Sequence, residues 1–234
     1  MSKKVIFSPS SEYVSKHVQR PLPAKKYVAE WLKPKEKLTF ENAKMTTNGQ
    51  IEDRFVGRCM PFRDAMTAGY IQESWTEIMV RVKDGELQWY TASSPEIMSS
   101  TVTPSGVAIG SEYYPAELQM KMHWYPRLPK GYSILVCPPF NRLDLPFTCT
   151  SGIIEADNFY HIDVGNIPFY IKAGFEGIIP VGTPLYQMIP IKRESWQSEV
   201  LNWDAHALES LTKEVGRRFM GYYKKNFWIK KHYN

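Results

Sequence analysis

His161 and Asp163 stand two apart in a stretch rich in β formers, so on a strand they point to the same face. An imidazole beside a carboxylate is a pair that can bind one divalent metal, and iron oxygenases use it with a distant histidine. The downstream histidines are His206, in a predicted helix, and His232, in a basic tail, so no late strand supplies the third ligand. A chain with five histidines also yields an isolated H-x-D by chance. The pair is therefore a candidate iron site, with a surface or hydrogen-bonded histidine as the competing reading. His123, beside Trp124 and Tyr125, reads as a member of a packed aromatic cluster.

Anion or partner binding has two candidates. In Pro138-Pro139-Phe140-Asn141-Arg142 two prolines fix the backbone and could present Asn141 and the planar guanidinium of Arg142 rigidly. The alternative is a stiff turn in which Arg142 pairs with Asp144 or Glu155. At the other end, Arg217, Arg218, Lys224, Lys225, Lys230 and Lys231 interleave with Phe219, Tyr222, Tyr223, Phe227 and Trp228. Lysines on phosphates and rings under bases are the means by which single-strand binders work, and a protein partner could meet the same face. Part of that aromatic set follows a helical period, which favours packing of a docking helix.

The elements that must position these residues are mostly short strands. Ile78 to Val82 and Glu86 to Tyr90 alternate apolar and polar residues around Lys83-Asp84-Gly85, the clearest hairpin in the chain. Further strands are predicted over 118–125, 132–137, 147–155, 160–164, 169–172 and 185–191, with Pro and Gly between them. Such spacing without long helices predicts a mainly β fold, a single antiparallel β-sandwich or β-barrel-like domain. Residues 1–44 read as a basic, Pro-containing extended arm with a short helix near 27–32, draped over the body or a neighbour. Residues 45–203 form the main domain. Residues 204–234 form a C-terminal unit, where Asp204 can cap an amphipathic helix with its stripe at Leu208, Leu211, Val215, Phe219 and Tyr222. Cys59 to Tyr70 reads as a turn and a short helix closed by Gly69, and 93–110 as a long loop.

Composition sets the bounds. With 234 residues, 43% of them hydrophobic and 23% charged, the chain can bury a core, and wholesale disorder is excluded. No apolar run approaches the roughly 20 residues that span a bilayer. Lys3 and Lys4 meet Ser8-Pro9 before an apolar signal region develops, so export by that route is not expected. Three cysteines without C-x-x-C spacing argue for a reducing compartment and against a disulfide framework. Charge is strongly partitioned. Residues 1–44 carry ten Lys/Arg against four acids, and 213–234 carry seven against one, while the body between them is net acidic. Basic arms meet nucleic acid, an anionic surface or an acidic neighbour, though solubility alone also favours lysine at the ends.

One resemblance is local. Ser151-Gly152-Ile153-Ile154-Glu155-Ala156-Asp157, then Asn166, then Gly182-Thr183-Pro184-Leu185-Tyr186-Gln187 within 179–189 resembles the distal half of the deoxyuridine triphosphatase and deoxycytidine triphosphate deaminase fold. There a G-x-I-D segment orients the attacking water and a later G-x-x-x-x-Q strand closes a β-barrel-like subunit. The resemblance implies Glu155 or Asp157 as the water-orienting carboxylate, Arg142 on phosphate, and a magnesium requirement. Here Glu155 stands where the family has Asp, Asn158 or Phe159 where it has a stacking Tyr, and the G-R-S motif has no counterpart beyond Asn141-Arg142.

A broader resemblance covers most of the chain. Cys59 to Tyr70, Trp124 to Arg142 and Gly182 to Trp196 look like an uncharacterised family of tailed bacteriophages and some bacteria. It implies the cytoplasm of a bacterial host or association with a virion. The leading expectation is a non-enzymatic phage-type protein, without a cofactor, that binds a protein partner or assembles into a larger particle. The alternatives are a deoxynucleotide triphosphatase-like enzyme or nucleotide sensor with magnesium, and a metal-dependent β-barrel oxygenase with iron at His161 and Asp163.

Overall fold

The computed structural model describes residues 3–33, 44–45, 51–52, 55–92, 95–100, 106–115, 118–158, 165–206, 209 and 222–234. Its first strands are β1 (Ile6–Pro9), β2 (Leu22–Pro23), β3 (Lys44–Met45), β4 (Ile51–Glu52), β5 (Tyr70–Glu73), β6 (Ile78–Lys83), β7 (Glu86–Thr91) and β8 (Met98–Ser100). They are followed by β9 (Leu118–Lys121), β10 (Trp124–Arg127), β11 (Tyr132–Cys137), β12 (Phe147–Cys149), β13 (Gly152–Ile154), β14 (Asn166–Ile171), β15 (Gly177–Ile179) and β16 (Pro184–Lys192). Among the described residues the helices are α1 (Glu12–His17), α2 (Met60–Thr67) and α3 (Tyr222–Asn226). The predicted stripe residues Leu208, Leu211, Val215 and Phe219 lie outside the described residues.

The strand pairings are antiparallel, in sheets ordered β13-β11-β16-β5-β2, β12-β14-β9-β8, β15-β6-β7, β1-β10 and β3-β4. The protein is thus mainly β, and among the described residues no sheet closes into a barrel; the arrangement is sandwich-like. By contact the chain forms two compact units. One comprises Met1–Tyr27, Thr67–Arg193 and Tyr233–Asn234; the other comprises Val28–Met66 and Glu194–His232.

In the first unit the predicted hairpin is present as β6 and β7. Lys83 pairs with Glu86, leaving Asp84 and Gly85 as a two-residue turn with φ of 54° and 82°. That backbone matches the twist of paired strands, and Asp-Gly is among the sequences that adopt it at low cost. Ile78 and Val80 point into the core while Met79 points out. Two stretches that read as single strands are broken. The 118–125 stretch divides between β9 and β10, and 147–155 between β12 and β13, each half pairing in a different sheet. A chain that changes sheet must bend, and the breaks at Met122-His123 and Thr150-Ser151 are those bends. The 93–110 stretch contains β8, added to the edge of β9.

β16 is the central element. It pairs with β11 on one side and β5 on the other, and Pro184 to Met188 are buried without alternation, as for a strand covered on both faces. Leu185, Tyr186 and Met188 join Ile134, Val136, Phe147, Phe169 and Ile171 in the main core. Gly69 passes directly over this strand at φ 65°, where a Cβ would fall 2.0 Å from the Met188 carbonyl oxygen. Only glycine meets both demands. The N-terminal residues are tied in as well. β1 pairs with β10, Ser11 caps α1 through the Val14 amide, and Val14 and Val18 pack against Trp124.

The second unit is built around smaller contacts. Leu32 is buried, Trp31 meets Phe62 edge to face at 6.3 Å, and Arg63 Nη1 donates to the Gly57 carbonyl at 3.4 Å. Asp64 accepts from Trp228 Nε1 at 2.9 Å and pairs with Lys231. No helix among the described residues is long and apolar enough to cross a membrane.

Candidate functional site

Asn141 and Arg142 follow β11 in a turn closed by Arg142 N donating to the Pro139 carbonyl at 3.2 Å. Asn141 takes a left-handed φ of 59°, a conformation that Asn tolerates better than most residues. The Arg142 guanidinium is engaged within the chain. Nε and Nη2 each donate to Asp144 at 2.9 Å, a bidentate pair, and Nη1 reaches the Tyr27 carbonyl at 3.4 Å. Of the two partners the sequence offered Arg142, Asp144 is the one it takes. Behind it, Tyr27 donates to Glu73 at 2.6 Å, and burial together with that carboxylate raises the phenol well above its ordinary range. The turn is fastened to β16 by Gln187, whose Oε1 accepts from Phe140 N at 2.9 Å and whose Nε2 donates to the Ala68 carbonyl at 2.7 Å.

Glu155 and Asp157 lie just after β13 and converge on a residue that the sequence did not single out, Arg193 at the end of β16. Arg193 pairs with both carboxylates, and its Nη1 lies 2.9 Å from Asp157 Oδ1. Asp157 also accepts from the Gly131 amide at 2.8 Å, and Glu155 accepts from Ser133 Oγ at 3.1 Å. The Asp157 side chain is 2% exposed, and its carboxyl is held down to about 2, first by the hydrogen bond from Arg193 and then by the Gly131 amide. These contacts clamp the end of β13 to the end of β16. Arg142 and Glu155 thus sit in separate ion pairs. Arg193 could have been anticipated only as a cation near two acids; its separation of 36 and 38 residues from them carries no local signal.

His161, Asp163, Arg217 and Arg218 lie outside the described residues. Among the described residues no group of three His, Cys, Asp or Glu side chains is arranged to hold a metal. Lys224, Lys225 and Lys230 are exposed, and Lys231 is held by Asp64.

The least explained surface begins where β16 ends. Residues 195–203 (Ser-Trp-Gln-Ser-Glu-Val-Leu-Asn-Trp) form neither helix, strand nor turn, and make no hydrogen bond, ion pair or ring contact with any described residue. Trp196 is 85% exposed, Val200 96%, Leu201 79% and Trp203 77%. At Asp204 the segment closes as expected, the carboxylate accepting from His206 N at 3.0 Å. Large apolar side chains scattered singly are ordinary on a surface, but four within eight residues form a patch that solvent alone does not stabilise. The sequence signal was present: a run from 194 to 212 with four acids, two tryptophans and no lysine or arginine.

No protein-family model matches the chain, and no curated protein matches it.

Proposed function

We propose that this protein works by binding another protein, as a component of a larger assembly in the setting of a tailed bacteriophage or its bacterial host. The observation that carries the reading is the segment 195–203, with two tryptophans, a leucine and a valine in water. Tryptophan is the side chain most enriched among residues that dominate binding energy, and it is rarely left exposed without a partner to bury it. The chain leading into the segment is anchored in sequence just before it, since Arg193, two residues ahead of Ser195, is clamped by Glu155 and Asp157. The charged side chains that hydrolysis of a nucleotide would require, Glu155, Asp157 and Arg142, each have an in-chain partner, which also favours binding over turnover.

The test has two arms. Tagged wild-type protein recovered from its native host should elute in a complex that the double variant W196A/W203A loses while keeping its circular dichroism. In parallel, thermal shifts are read against deoxynucleoside triphosphates with magnesium, iron with 2-oxoglutarate, and single-stranded DNA. A ligand at a hundred times its dissociation constant stabilises by about 2.7 kcal/mol. A selective shift of that size with the nucleotide or with iron overturns the binding reading in favour of the corresponding enzyme.

A further inference from the structure

We infer that the partner of segment 194–204 is a second copy of this chain, and that the segment docks on the partner copy's N-terminal face, residues 3–27. This rests on the reading of the segment as a protein-binding element. Glu194, Glu199 and Asp204 make the segment purely acidic between its aromatic residues. Residues 3–27 are the opposite: Lys3, Lys4, Lys16, Arg20, Lys25 and Lys26 are all exposed, against one acid, Glu12. Some of these cations are engaged, Lys16 by Glu12 at 2.5 Å and Lys25 by Asn234 at 3.3 Å. Lys4 and Lys26 have no acidic partner among the described residues. The same stretch exposes Ile6 at 54% and Tyr13 at 47%, apolar ground for indole rings.

A chain that carries both halves of a complementary pair can associate reciprocally, each copy giving its segment and receiving the other's, which is a closed two-fold arrangement. The area suffices. Two tryptophans with a leucine and a valine bury on the order of 650 Å² per segment, so two segments bury on the order of 1,300 Å². That figure, before the receiving surfaces are counted, already falls in the range of specific interfaces. Complementary charge sets orientation and speeds encounter, and it makes the association weaken with salt.

Sedimentation velocity at about 50 µM tests this directly. The wild type is expected to be dimeric at low salt, and W196A/W203A to weaken association by at least about 30-fold with its thermal melt retained. The charge-reversed variants K3E/K4E/K25E/K26E, in which residues 3–27 keep two bases against five acids, and E194K/E199K, in which the segment has two bases against one acid, should each be monomeric alone and should form a dimer when mixed, because each then carries the complement of the other. A monomeric wild type overturns the inference, as does a dimer indifferent to W196A/W203A, or a mixture of the reversed variants that stays monomeric. If the wild type is monomeric but a tryptophan-dependent complex still forms in its native host, this inference falls and the binding reading stands. If neither forms, both fall.

Discussion

Substituting Gln187 by methionine should destabilise the first unit by about 3 kcal/mol. Gln187 is wholly buried on β16, with its amide divided between Phe140 N at 2.9 Å and the Ala68 carbonyl at 2.7 Å. Methionine fills nearly the same volume, so the cavity term is small and the loss comes from two backbone groups left without this partner. An unsatisfied buried group costs about 1–3 kcal/mol; both groups here are only partly buried, so the lower half of that range applies twice. At about 2–4 °C per kcal/mol for a unit of this size, the melting temperature falls by roughly 6–12 °C. Denaturant unfolding followed by circular dichroism reads the change, with the m-value expected to stay constant. Q187E sharpens the test. The introduced carboxylate can still accept from Phe140 N but sets an oxygen against the Ala68 carbonyl in a buried site, which raises its folded-state pKa. The penalty is therefore full above that raised value and is relieved as pH falls towards about 4, where the protonated acid can donate again. If Q187M lies within about 0.5 kcal/mol of wild type, or Q187E shows no recovery in acid, Gln187 does not fasten the Pro138–Arg142 turn.

Three further outcomes follow from the same contacts. Asp157 is held down to about 2, below its unfolded value, so its ionised form stabilises the fold above about pH 4 and the contribution drains away as pH falls towards 2. The gap in unfolding midpoint between wild type and R193M should therefore be wide at pH 6 and narrow at pH 2; an equal gap at both would remove Arg193 as the cause. Gly69→Ala combines a left-handed φ of 65° with a Cβ 2.0 Å from the Met188 carbonyl oxygen, and should cost at least about 2 kcal/mol in a thermal melt; a neutral variant would mean that β16 yields freely. Burial pushes the Cys137 thiol up to about 12 and raises Cys149 too, whereas Cys59 is exposed. A thiol reagent at pH 8 should titrate one cysteine in the native protein and three after denaturation, and rapid labelling of a second would place Cys137 or Cys149 nearer solvent than described.

The β character was legible because alternation and turn residues are local signals. Asp84-Gly85 announces its hairpin within the chain segment that forms it. The sheet changes at Met122-His123 and Thr150-Ser151 were not legible, since a bend between two apolar stretches costs little and leaves the alternation almost intact; what decides it is a partner strand tens of residues away. The candidate site failed in the same way. Arg142 and its partner Asp144 are two apart, and the sequence named that pairing as one of two alternatives. Arg193 meets Asp157 only because β16 returns alongside β11, a fact of topology that no spacing rule reports. Trp196 and Trp203 escaped attention for a different reason. An aromatic residue in a sequence carries no mark of whether its own chain buries it, and among the described residues nothing buries these two.

The place of β16 in the chain has a consequence for how the protein is made. This strand, Pro184–Lys192, lies between β11 and β5, whose partners left the ribosome some 50 and more than 110 residues earlier. Until it emerges, β5 and β11 each present an open edge in an apolar surface, which is the template on which nascent chains misassemble. A transcript truncated near residue 180 should therefore give an aggregating product rather than a smaller folded one. The segment 194–204 follows β16 with Arg193 alone between them, so its exposed tryptophans are translated only after the strand that completes the central sheet.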